Sequence, residues 1–412
     1  MISSTLKRNT ILLYISYISR YLFPIILIPY LTRVLGFEDW GKLIFYIAYA
    51  AYIESVIEYG FDLTATRDIS IHRNTPEKVE KIISNVITTK LLLSIICLLF
   101  TLGLSLVFES LYEDIELFFG MTAVSVVSNF SMYWYYKGIE KMSMVTYLTI
   151  ISYSVSTVLV LLFINSPEDI VLYPIFFLMA SLLVAFISLR KIFLKYKFYL
   201  CNISECVNEI RSHFHLFLVR ASGLFFINGN IICVSLLYSD RVSAYFSLSI
   251  KIVHSIRMLL TPIVDSVFPN ISNLIKLDMD KARHSIMSIG KLMIWISIAM
   301  TITTFFLSEL LVLLFAGVSD LEVVNMLKIF SILPIIVALT HIIGPLWMLP
   351  IGQDLAYSKM FFIGVFINII LLSTGALYVS SIYLPIIVVL ISQAVIPILM
   401  YAHLKKTGNF FL

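Results

Sequence analysis

The sequence predicts an all-α integral membrane protein with about twelve transmembrane helices. Composition, the length of the apolar runs and the placement of Lys and Arg together predict it. Of 412 residues, 60% are hydrophobic and 13% charged, and the mean hydropathy is +0.97. A soluble domain is nearer to roughly 45–50% apolar and about 25% charged. A chain this apolar could not cover a water-facing surface.

A helix needs about 20 apolar residues to cross a bilayer. Twelve stretches qualify, near residues 11–33, 41–61, 84–107, 116–136, 145–164, 170–189, 214–238, 243–266, 290–315, 325–349, 360–380 and 384–403. The first follows a basic start, as a secretory signal would. Its run continues to Leu31, contains Arg20 and has no small-residue cleavage site after it, so it reads as a retained span. The tenth is the most interrupted, by Pro334, Gly344 and Pro345. The runs are too long and too uniform for barrel strands, which alternate over segments of about ten residues.

Positive charge marks cytoplasmic connections. With the N-terminus inside, twenty of the 29 Lys and Arg fall in inner segments, including Arg67, Arg73, Lys78 and Lys81, and Arg190 to Arg211. Only Arg33, Lys42 and Arg241 fall outside, and the outer loop FESLYEDIEL is purely acidic. Both termini are then cytoplasmic. The longest inner connection, near 190–213, divides the spans six and six, giving lobes over 1–200 and 201–412. A faint echo between GFEDWGKLIFY and YSDRVSAYFSL suits two bundles of parallel topology, a common plan in secondary transporters.

The four cysteines, Cys97, Cys201, Cys206 and Cys233, form no disulfide framework or zinc spacing. No G-x-x-x-x-G-K-[ST] loop, H-E-x-x-H or G-x-S-x-G stretch is present, so ATP hydrolysis and common hydrolase chemistries have no motif here, and no cofactor is expected.

Six basic residues remain within spans: Arg20, Lys90, Arg220, Lys251, Arg257 and Lys328. Lys90 and Lys328 lie near expected span ends and can snorkel to the interface. At about 1.5 Å per residue, Arg20 sits roughly 14 Å from the inner side, and Lys251 and Arg257 roughly 12 and 21 Å from the outer side. A cation at such depth costs about 2.5–3.5 kcal/mol on insertion scales, so it faces a wet cavity or a partner. Lys251, His254 and Arg257 cover one side of span 8, opposite Ile252, Ile256 and Leu259. With Arg20 and Arg220 they form a cationic set suited to an anion, and arginine favours phosphate because its fork holds two oxygens. The competing reading is internal ion pairing. Glu54 and Glu58 share a face of span 2, Asp62 follows one turn on, and Asp265 ends span 8. These four are the candidates for pairing or ion coupling. His341, in a Pro-broken helix, reads as a hydrogen-bonded lone histidine.

Three stretches carry a family resemblance: IPYLTRVLGFEDWGKLIFY, YGFDLTATRDIS (Tyr59–Ser70) and WYYKGIEKMSMVTYL (Trp134–Leu148). Together they resemble the Wzx-type O-antigen flippases, the polysaccharide-transporter branch of the multidrug/oligosaccharidyl-lipid/polysaccharide (MOP) superfamily. The resemblance is specific over residues 11–147 and generic beyond. Lys137 departs from it, since a glutamine is expected there. The resemblance implies two six-helix bundles in a V around a central cavity. It implies a substrate as well, an undecaprenyl-pyrophosphate-linked O-antigen oligosaccharide moved between leaflets of the bacterial inner membrane. An O-antigen polymerase and a chain-length regulator are implied partners; nucleic acid is not. Gly60 and Gly138 suit tight helix ends, and Arg67 could meet a phosphate at the cytoplasmic mouth or pair with Asp68. Two other functions compete. A multidrug extruder would want cavity carboxylates, for which only Glu54, Glu58 and Asp265 could serve. An O-antigen polymerase would want a large outer loop with arginines, which this chain lacks.

Overall fold

The computed structural model describes residues 4–317 and 319–408. Side chains at some helix positions, Arg20, Arg220 and Asp265 among them, lie outside the described residues. The fold is all helical and the chain forms two compact units, Met1–Asp39 with Leu43–Ala221, and Trp40–Lys42 with Ser222–Leu412.

In the first unit the helices are α1 (Ser4–Glu58), α2 (Phe61–His72), α3 (Pro76–Val107), α4 (Glu109–Glu113), α5 (Ile115–Ser128), α6 (Tyr133–Gly138), α7 (Met142–Phe163), α8 (Leu172–Phe193) and most of α9 (Ile203–Leu224). α1 holds both of the first two expected spans and breaks at Gly36, where φ is +74°. Glycine reaches that region without a Cβ penalty. The expected span 116–136 is likewise divided, because Met132 takes φ +55° between α5 and α6.

The second unit contains α10 (Asn230–Leu237), α11 (Asp240–Arg257), α12 (Thr261–Leu277), α13 (Met279–Phe306), α14 (Ser308–Ala316), α15 (Leu321–Phe330), α16 (Leu333–Ile343), α17 (Asp354–Tyr378) and α18 (Leu384–Lys406). Two π-turns, Phe225–Gly229 and Gly344–Met348, interrupt the expected spans 214–238 and 325–349. After a 3₁₀ turn at Met258–Leu260 the chain continues as α12 to Leu277, well past the expected end at 266. Pro262 lies in the first turn of α12, where no intrahelical N–H is needed. Eight helical segments among the described residues are long and apolar enough to cross a membrane. The other four expected spans fall on α1 and on α9 to α12.

Packing in the first unit runs through α7 on α8, α5 on α8 and α3 on α5. The outer faces are apolar: Ile95, Leu99, Phe100 and Leu106 of α3 and Leu182 and Phe186 of α8 are all exposed. Small hydroxyl residues fill the inner faces. Ser84, Ser94, Thr101 and Ser105 of α3 are buried, and several bond back along the helix, as Ser94 does to the Lys90 carbonyl at 2.7 Å. This arrangement suits lipid, in which apolar faces cost nothing and small residues let helices approach.

Outside the spans, Asp169 closes a capping box at the 3₁₀ turn Pro167–Val171, accepting from the Asn165 and Ser166 amides at 3.0 and 2.9 Å and the Ser166 hydroxyl at 3.0 Å. Those bonds favour the ionised form and hold the carboxyl below its ordinary value. Its contribution is therefore complete above the unfolded value, about 3.9, and is lost as pH falls through the lowered folded value. Asp169→Asn should lower the thermal midpoint in detergent at neutral pH, and the gap should close in acid. A gap of constant size down to the acid limit of folding would contradict this.

Candidate functional site

Charged residues converge inside the first unit. A cavity of about 380 Å³ is lined from α1, α2, α3, α5, α6, α7 and α8. Glu54 and Glu58 reach it from α1, Asp62 from α2, Lys90 from α3 and Lys137 from α6. Lys90 is 1% exposed. Its ammonium donates to Glu58 Oε2 at 2.6 Å, to the Asn129 carbonyl at 3.2 Å and to Asn129 Oδ1 at 3.4 Å. Three acceptors thus meet the three donors that a lysine carries.

This corrects the expectation that Lys90 snorkels outward. α3 starts at Pro76, eight residues before the expected span, so Lys90 lies roughly 21 Å along the helix and far from its start. Internal pairing is the remaining way to hold the charge. Asp62 pairs in turn with Lys137, at 2.7 and 3.0 Å. Glu54 is exposed in the cavity wall.

The two family-like stretches meet at this junction. α2 packs on α6, and Thr66 donates to the Trp134 carbonyl at 3.1 Å. A Cβ at Gly138 would lie 2.6 Å from Ile69 and 2.9 Å from the Thr66 carbonyl, so the glycine permits close approach. α6 ends at Gly138 as expected, the positive φ of +57° falls two residues on at Glu140, and Gly60 takes φ +91°. Lys137, the departure from the family pattern, is the partner of Asp62. Arg73 pairs with Glu140 at 3.0 Å. Arg67 is exposed and its Nε lies 3.2 Å from Asp68 Oδ1.

In the second unit α11 carries Lys251, His254 and Arg257, all partly buried. The Lys251 ammonium lies 5.1 Å from the ring centroid of Trp40. Arg257 acts electrostatically on His254 and on His341 of α16, which packs against α11. Among the described residues no carboxylate is paired with Lys251 or Arg257. His341, expected to be hydrogen-bonded, has a buried Nδ1 without a partner. Sequence reasoning missed the link between Arg257 and His341. Their separation of some 80 positions gave no signal, and only the packing of α11 on α16 joins them. The side chains of Arg20, Arg220 and Asp265 lie outside the described residues.

Two substitutions test this geometry. Lys90→Met leaves Glu58 buried without its cation, and breaking a buried pair costs about 3–5 kcal/mol. Lys90→Met should therefore melt well below wild type in detergent, and Glu58→Gln in the same chain should recover most of the loss. Equal melting of the single and double variants would contradict the pairing. Gly138→Ala should also lower the midpoint, with partial recovery on adding Ile69→Ala.

Comparisons with known proteins agree with this architecture. The chain is 25% identical over 375 residues to a putative O-antigen transporter of Escherichia coli K12, covering 89% of each. It is 26% identical over 378 residues to the Shigella dysenteriae protein of the same name, covering 89% of this chain and 91% of that one. Among solved structures, a multidrug resistance MATE family transporter of the MOP superfamily superposes with a TM-score of 0.70 over 98% of each chain, at 14% identity. The lipid II flippase MurJ gives 0.69 over 96% of this chain and 87% of its own, at 15% identity. The fold is therefore that of the MOP superfamily. The polysaccharide biosynthesis protein family matches residues 6–275, well over half of the sequence, and the chain belongs to that family.

Proposed function

We propose that this chain is a flippase that moves an undecaprenyl-pyrophosphate-linked O-antigen oligosaccharide from the cytoplasmic to the periplasmic leaflet of the bacterial inner membrane. Both termini lie in the cytoplasm in this reading. The observation that carries it is the basic group on α11 and α16. Lys251, His254 and Arg257 sit in α11, which we read as part of a membrane span, Arg257 acts electrostatically on His341 of the adjoining α16, and no carboxylate among the described residues is paired with Lys251 or Arg257. Such charge is costly in lipid, and an anionic headgroup offsets it. The names of the two relatives support the same cargo. Arg20 and Arg220 belong to this cationic set, Arg67 to the cytoplasmic mouth, and Glu54, Glu58, Asp62 and Asp265 are candidates for ion coupling. The lobes over 1–200 and 201–412 would expose the cargo to one leaflet and then the other.

A multidrug extruder is the alternative, favoured by the carboxylates in the first unit's cavity. Against it, Glu58 and Asp62 are each held by a lysine.

Complementation decides. In a bacterium lacking its own O-antigen flippase but making a compatible repeat unit, the wild-type chain should restore the lipopolysaccharide ladder. Lys251→Ala and Arg257→Ala at normal membrane levels should reduce it at least tenfold, while Leu259→Ala, on an exposed face, should not. A full ladder from both variants would remove the cationic site from the mechanism.

A further inference from the structure

We infer that Trp40 is a positioning residue, whose indole ring holds the Lys251 ammonium ready for the anionic head of the cargo. The inference rests on the flippase reading above and extends it from the basic residues to the group that aims one of them.

Trp40 lies in α1, beyond the break at Gly36, yet Trp40–Lys42 belongs to the second unit. Gly41 fixes that segment on the start of α11. A Cβ at Gly41 would overlap the backbone carbonyl of Asp240, so any side chain there would push the segment away. Lys251 stands eleven residues after Asp240, about 16 Å along the helix. Helical side chains lean toward the N-terminus of their helix. The Lys251 stem therefore rises toward the tryptophan, and its Nζ lies 5.1 Å from the ring centroid.

A cation is drawn to the negative face of an aromatic ring within about 6 Å, most strongly to tryptophan. Here the ring replaces part of the hydration that the ammonium gives up, and it keeps a long, flexible stem in one place. An ammonium carries three donors and no acceptor. The Lys251 ammonium makes no hydrogen bond or ion pair among the described residues, and the residue is partly exposed. A cation that is held but not neutralised keeps its donors for a ligand. Arg241, on the same helix, shows the contrast. It also lies against a ring, that of Tyr245 at 5.5 Å, but Asp320 lies 3.8 Å from its guanidinium and offsets the charge. Trp40 itself is only 2% exposed, so the cargo cannot stack on it, and its action runs through Lys251. A cation fixed before its ligand arrives loses less freedom on binding, and so binds an anion more tightly.

The test measures the binding of inorganic pyrophosphate, by calorimetry at low ionic strength, to the full-length protein in phosphatidylcholine nanodiscs. Mono-, di- and tetrafluorotryptophan are placed at position 40 alone. Fluorine drains the negative face of the ring and nearly preserves its shape, which separates the cation's hold from packing. Affinity should fall stepwise along the series, to a several-fold loss, with an unchanged melting midpoint. Tetrafluorotryptophan in place of Trp295, an exposed residue of α13, should leave affinity unchanged. With Lys251→Met in place, the affinity that the other basic groups retain should not respond to fluorination of Trp40. Affinity unchanged or raised along the series, an equal loss from Trp295, a loss that persists without Lys251, or no pyrophosphate binding by the unsubstituted chain would overturn the inference. Vesicles made from the same protein separate the two claims. Movement of a lipid-linked oligosaccharide with binding that ignores fluorination leaves the flippase and removes the role of Trp40. Fluorination-sensitive binding without such movement does the reverse.

Discussion

A charge carried into hydrocarbon must be met by the protein itself. The Glu58–Lys90 pair is where this constraint acts most strongly here. Lys90 is nearly sealed and has three acceptors arranged around its ammonium, one from α1 and two from Asn129 after α5. That single point ties three helices together across the middle of the first unit. Asp62–Lys137 repeats the device one turn away and joins α2 to α6. All four residues of the two pairs line the cavity of about 380 Å³.

The second unit handles charge differently. Tyr245, Arg241 and Asp320 form a satisfied network near one end, with the Tyr245 hydroxyl donating to Asp320 at 2.8 Å. Farther along the same helix, Lys251 and Arg257 have no paired carboxylate among the described residues, and Arg257 instead acts electrostatically on His254 and His341. A unit that neutralises its buried charges can be a rigid scaffold. One that leaves basic groups without acids retains an attraction for an anion. In the proposed function it is this second unit that meets the cargo's pyrophosphate.

Much of the fold was legible in the sequence. Apolar runs set the helices, because lipid admits little else. The breaks were legible only in part. Pro334, Gly344 and Pro345 announced the interruption of the tenth span, but nothing in the composition of PIVDSVF announced that α12 would run on to Leu277. The charges were harder. Glu54 and Glu58 sharing a face was a matter of spacing, whereas the partner of Glu58 lies 32 positions away on α3, and its depth depended on where that helix starts. Lys137 looked like a departure from a family pattern until Asp62, 75 positions earlier, was found beside it. Local periodicity carries helix faces, and long-range pairing emerges only from packing.

The central claim is that the chain moves a lipid-linked oligosaccharide across a bilayer. The most direct measurement uses proteoliposomes holding the purified chain and a polyprenyl-pyrophosphate oligosaccharide with a fluorescent sugar, with an impermeant quencher outside. The account predicts that the protected fraction decays with time only when the chain is present. A protected fraction as stable as in empty vesicles, in proteoliposomes that instead take up an organic cation against an ion gradient, would contradict it.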